Sequence, residues 1–108
     1  MAKLKLVANP TFQAKVGIPM AGGDSVDVLM TFKHRTKTAL EEWVKSRGGK
    51  PDTESFMDMV EGWDLDEPFN KENVDLLLEI YGGAGLATFQ TYLSELVQAK
   101  LKNFAPSL

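Results

Sequence analysis

The feature that most constrains this chain is a change in the period of its apolar residues. From Thr11 to Ile18, Phe12, Ala14, Val16 and Ile18 alternate with Gln13, Lys15 and Gly17, and from Ser25 to Lys33 the alternation returns in Val26, Val28, Met30 and Phe32. A two-residue period puts every apolar side chain on one face of an extended strand. Between the two runs, Pro19-Met20-Ala21-Gly22-Gly23-Asp24 carries glycines that can take the positive φ a reversal requires. The prediction is a β-hairpin over about residues 11–33. A lone hairpin is marginal in water, so its apolar face has to meet helices or another subunit.

Beyond the hairpin the spacing becomes helical. Thr36 or Thr38 is a plausible N-cap, and Thr38 with Glu41 fits the capping box. The helix should run to about Arg47, bury Leu40, Trp43 and Val44, and stop at Gly48-Gly49. After the linker Lys50-Pro51-Asp52, Asp52 or Thr53 can cap a second helix. In it Phe56, Met59, Val60 and Trp63 fall at i, i+3, i+4 and i+7. The polar stretch Gly62-Trp63-Asp64-Leu65-Asp66-Glu67-Pro68-Phe69-Asn70 then reads as a packed structural hinge, with Trp63 completing one stripe and Asn70 capping the next helix. That third helix carries Val74, Leu77, Leu78 and Tyr81, and Leu76 and Ile80 widen the stripe enough to predict near-complete burial.

Gly82-Gly83-Ala84-Gly85 breaks the chain, and a final helix is expected to about Asn103 through Leu86, Phe89, Leu93, Leu96, Val97 and Lys100 or Leu101. Phe104-Ala105-Pro106-Ser107-Leu108 should fray. The fold class is α+β, mainly α: an N-terminal β-hairpin followed by about four helices over residues 36–103, in one domain spanning 1–108. A chain of 108 residues buries roughly two-thirds of its unfolded surface, enough for one modest core.

Composition then removes function classes. A formal net charge of -3 argues against nucleic acid, which requires a basic stripe. The one basic cluster, Lys33-His34-Arg35-Thr36-Lys37, reads as a solvated strand-to-helix corner. With no cysteine, disulfides and thiolate metal sites are excluded. Asn9-Pro10 interrupts the basic start, so no secretion signal is expected, and no run reaches the roughly 18 apolar residues of a membrane helix.

His34 is the sole histidine, without the partners for a triad or an imidazole metal site. Asp64, Asp66 and Asn70 fit a calcium-loop register, but Phe69 replaces its glycine and Asp75 its final glutamate. Gly83-Ala84-Gly85 follows a helix and lacks the other marks of a phosphate loop. No enzyme, cofactor, metal, nucleic acid or membrane is expected, which leaves a small soluble binding or assembly domain.

Large adaptable side chains carry the remaining signal. Met57, Met59, Trp63, Phe69, Tyr81, Phe89 and Tyr92 are many for so small a core, and such types are enriched at interfaces. Met57 and Tyr92 also lie off the stripes assigned above. The candidate surface for a partner or for self-association is therefore Met57, Phe69, Leu86, Phe89, Tyr92, Leu93 and Leu96.

The order of features resembles the phage tail assembly chaperone family of long-tailed bacteriophages. The resemblance is carried by Asn9-Pro10-Thr11-Phe12, Val16-Gly17-Ile18-Pro19, Thr31-Phe32-Lys33-His34-Arg35-Thr36, Gly62-Trp63-Asp64-Leu65 and Phe69-Asn70-Lys71-Glu72-Asn73. It continues through Leu77-Leu78-Glu79-Ile80-Tyr81, Thr91-Tyr92-Leu93 and Lys102-Asn103, with glycines after Tyr81 where the resemblance would place a proline.

It implies a non-enzymatic, homo-oligomeric protein of the bacterial host cytoplasm, absent from the mature virion. Such a protein binds the tape measure protein and supports tube assembly around it. A frameshifted longer form would add contact with the tail tube protein, and a chain stopping at Leu108 would correspond to the short form. Two other classes fit the residues, a small structural tail-completion protein and a regulatory or adaptor domain of a mobile element.

Overall fold

The hairpin forms as the alternation demands. β1 (Thr11–Pro19) and β2 (Ser25–Lys33) pair antiparallel, with Ile18 opposite Val26, Val16 opposite Val28, Ala14 opposite Met30 and Phe12 opposite Phe32. Both apolar rows thus share one face. Gly22 and Gly23 have φ of 100° and 101°, values that side-chain-bearing residues resist. The Met20 N–H donates to the Asp24 carbonyl at 2.8 Å to close the turn. The computed structural model describes residues 4, 6–49 and 52–97.

Thr36 caps α1 (Lys37–Ser46): its hydroxyl accepts from the Ala39 N–H at 3.2 Å. Thr38 lies inside the first turn, so the Thr38–Glu41 capping box is not what starts the helix. α1 buries Leu40 and Trp43 but leaves Val44 at 37% exposure, outside the stripe expected for it. A 3₁₀ turn, Arg47–Gly49, follows, and α2 (Asp52–Met59) buries Phe56 and Met59.

The second expected helix is shorter than its apolar spacing suggested. It ends at Met59, and Val60–Trp63 is instead a strand, β3, antiparallel to β2 in a sheet of order β1-β2-β3. Met30 faces Trp63, Thr31 faces Gly62, and Phe32 faces Val60, leaving Glu61 as an extra residue where the register shifts. Such a bulge lets residues three apart share a face. Val60 and Trp63 therefore mimicked a helical repeat.

Trp63 does not complete the α2 stripe; it belongs to the sheet, packed edge-on against Phe56 at 6.4 Å and Phe69 at 5.0 Å. The apolar stripe expected to run along the second helix to Trp63 therefore ends at Met59. Asp64 fixes the strand end, with its N–H donating to the Leu29 carbonyl and its Oδ1 accepting from the Leu29 N–H, both at 3.0 Å.

Asn70 starts α3 (Lys71–Ile80) as expected, its Oδ1 accepting from the Asn73 N–H at 2.9 Å. Val74 and Leu77 point into the core, but Leu76 and Ile80 are 51% and 59% exposed. The near-complete burial expected of this helix is thus wrong. α4 (Ala84–Leu96) packs chiefly along β1, and its buried line is Ala84, Thr88 and Tyr92 rather than the line from Leu86. Nearly every turn of α4 is apolar on several sides, so large residues alone did not mark its inner face. Small Ala84 and Thr88 let the helix approach the sheet. Its expected continuation through Lys100, Leu101 and Asn103, and the fraying of 104–108, lie outside the described residues.

A polar clasp joins four elements beside this core. Tyr92 stacks with Phe32 at 5.4 Å and meets Trp43 edge-on at 5.7 Å. Its hydroxyl donates to the Lys33 carbonyl at 2.7 Å and accepts from Arg35 Nη1 at 2.9 Å. Arg35 Nη1 also donates to the Asp58 carbonyl at 2.7 Å, and its guanidinium lies 5.0 Å from the Trp43 ring. Lys33 Nζ reaches the Met57 carbonyl at 3.1 Å. Two cations thereby meet the C-terminal carbonyls of α2, where the helix dipole favours positive charge. Arg35 is a structural tie, not a residue of a solvated corner.

Candidate interaction surface

The sheet face and the helices that cover it do not end together. At the turn end of the hairpin the apolar row continues past its cover, leaving Val26 at 51% exposure beside α3. On α3, Leu76 and Ile80 stand four residues apart and so form one ridge. Between hairpin and ridge lies an open apolar groove of about 330 Å³, lined by Ile18, Val26, Val28, Leu65, Leu76 and Ile80 among others. Burying a valine, leucine or isoleucine side chain stabilises by about 1.5–3 kcal/mol. Three such residues left half-exposed around one groove represent stabilisation that a covering surface would recover.

The groove is built on firm supports. Asn70 fixes the start of α3, and the Asn73 side-chain amide donates to the Pro68 carbonyl at 2.7 Å. Trp63 Nε1 donates to the Glu67 carbonyl at 2.8 Å, tying the loop after β3 to the groove floor. Charge is sparse there; among the described residues Glu67 is the one carboxylate on the lining, and the lining holds no cation. On the outer side of α3, Asp75 accepts a hydrogen bond from the Thr53 hydroxyl, which holds its carboxyl below the ordinary value. Lys71, 3.3 Å away, adds to the lowering and desolvation opposes it.

The residues expected to form a partner surface do not gather into one patch. Tyr92 is fully buried and cannot meet a partner in this arrangement. Met57 is half-buried on α2, and Phe69 is half-buried beneath Trp63. Leu93 and Leu96 are half-buried against the core. Leu86, 63% exposed, and Phe89 do come together, in a second cavity of about 360 Å³ on the other side of α3.

Sequence reading missed Val26, Leu76 and Ile80 as surface residues. The usable signal is the excess width of the α3 stripe, whose outer members Leu76 and Ile80 stay exposed. Among the described residues no cluster of histidine or acidic side chains could hold a metal ion, and no helix is long and apolar enough to cross a membrane.

Neither the curated proteins nor the solved structures contain a match to this chain. A family model does match, described as phage tail assembly chaperone, over residues 1–103. With nearly its whole length covered by that match, the chain belongs to the phage tail assembly chaperone family.

Proposed function

We propose that this protein is a non-enzymatic chaperone that binds the tape measure protein, keeps it soluble and supports assembly of the tail tube around it. The observation that carries the reading is the apolar groove bounded by Val26, Leu76 and Ile80, which has the dimensions and chemistry to take the apolar face of a helix. A long helical client exposes many such faces. Several copies bound along it, associating with one another, would cover it by effective concentration without requiring tight single contacts.

The work is done in the bacterial host cytoplasm, and the protein leaves before the virion is complete. A frameshifted longer form would add a contact with the tail tube protein.

Co-expression with the tape measure protein tests the reading. The wild-type chain is expected to co-purify with that client and raise its soluble fraction, and Ile80→Asp to do neither while melting normally. A client equally soluble with and without the chain would refute the proposal. Recovery of the chain from purified virions would instead favour a tail-completion component.

A further inference from the structure

The second cavity has a chemistry of its own. It lies between the end of α1, the start of α2 and the α3–α4 turn, and is lined by Phe56, Met59, Leu78, Leu86 and Phe89 together with Arg47. The Arg47 guanidinium carbon lies 4.0 Å from the centre of the Phe89 ring and 5.5 Å from that of Trp43. Among the described residues its buried Nε has no hydrogen-bond partner and no carboxylate pairs with the guanidinium. Native proteins rarely leave a buried donor unpaired. Asp52 and Ser55 also line the cavity, and neither hydrogen-bonds to Arg47 among the described residues. At the mouth, Leu86 is 63% exposed and a side chain added at Gly82 would meet nothing within 4 Å, so a partner backbone can come close.

We infer that this cavity is a second docking site, separate from the α3 groove, for a protein helix presenting a leucine or similar side chain with a glutamate or aspartate one turn away. The apolar side chain enters against Phe56, Met59 and Leu86. The carboxylate pairs with the Arg47 guanidinium, whose planar fork donates two parallel hydrogen bonds to a carboxylate. Stacking on Phe89 holds the guanidinium in place, so little ordering remains to be done on binding. Charge complementarity selects the occupant: Arg47 is the one cation among the described lining residues, and a neutral helix would leave it unpaired. The α3 groove, with Glu67 on its rim, has no such preference for acid.

The test uses the full chain and three fluorescent helical peptides of roughly 15 residues, long enough to hold a helix on binding. They are identical except that a glutamate four residues from a leucine becomes glutamine or lysine. By fluorescence anisotropy, wild type should bind the glutamate peptide about tenfold more tightly than the glutamine peptide, as expected for a charge-assisted hydrogen bond. The preference should vanish in Arg47→Gln and turn toward the lysine peptide in Arg47→Glu, while Ile80→Asp leaves it unchanged. Reversal by charge is a result that general loss of folding cannot produce. With wild type, amide shifts on titration should centre on Gly82, Gly85 and Leu86. Equal binding of the three peptides, a preference that survives Arg47→Gln, or shifts centred on Val26 and Ile80 would each overturn the inference. Co-purification of the tape measure protein is read separately, so either proposal can fail alone.

Discussion

Replacing Tyr92 by phenylalanine isolates the clasp from the core. The ring keeps its stacking on Phe12 and Phe32 and its edge contact with Trp43, so no cavity opens and packing should persist. Only the hydroxyl is lost, and with it the bond donated to the Lys33 carbonyl and the one accepted from Arg35 Nη1. A neutral hydrogen bond contributes about 1 kcal/mol and one to a charged group about 1.5–3. Arg35 Nη1 retains the Asp58 carbonyl, which softens the second loss.

The expected cost of Tyr92→Phe is about 2–3 kcal/mol, a fall in Tm of about 10 °C or somewhat more for a chain of this size. Thermal and urea unfolding followed by circular dichroism measure it. In a double-mutant cycle, Arg35→Met and Tyr92→Phe should couple by about 1 kcal/mol, because each removes the other's partner. An unchanged melting curve, or additive effects in the cycle, would refute the clasp. Weaker client binding with unaltered stability would instead return Tyr92 to a partner surface.

Three further outcomes are expected. Ile80→Asp, at a site already 59% exposed, should change stability by no more than about 0.5 kcal/mol while abolishing co-purification of the tape measure protein. Trp63→Ala should cost about 3–5 kcal/mol by opening the space between Phe56 and Phe69, seen as a lower urea midpoint; an unshifted midpoint would contradict its packing role. Thr53→Ala should raise the Asp75 pKa toward 3.8 in an NMR titration, since the Thr53 hydroxyl is the main cause of its lowering. Because that folded-state value is depressed, the stability linked to it is present above 3.8 and lost as pH falls through the folded value. Thr53→Ala should therefore flatten the acid limb of a stability profile, and an unchanged limb would count against the contact.

What could be read from the sequence was local. Alternation fixed the hairpin because strand period and turn chemistry agree over adjacent residues, and Asn70 announced α3 through its own side chain. The third strand escaped because Glu61 is extra: the bulge gave Val60 and Trp63 the spacing of a helix face. Tyr92 was misplaced because α4 is apolar on several sides, and the identity of its inner face depends on small Ala84 and Thr88 fitting against β1. Arg35 looked like one member of a basic cluster, since its partners at Asp58 and Tyr92 are far along the chain. The groove was hidden for a geometric reason: a wide apolar stripe predicts burial only if the neighbouring element is long enough to cover it, and here the cover stops short of Val26 and Ile80.

The return of β3 to β2 after the whole of α1 and α2 has a consequence for how the protein is made. The hairpin can close in about 1–10 μs once β2 has left the ribosome. Its other edge must wait for Val60–Trp63, and at roughly 5–20 residues per second that delay is on the order of seconds. During this interval the backbone of β2 from Leu29 to Phe32 has no second neighbour, and an open edge can template pairing with another nascent chain. A protein proposed to shield an aggregation-prone client thus passes through its own exposed state during synthesis, and translation stalled between α2 and β3 should trap it there.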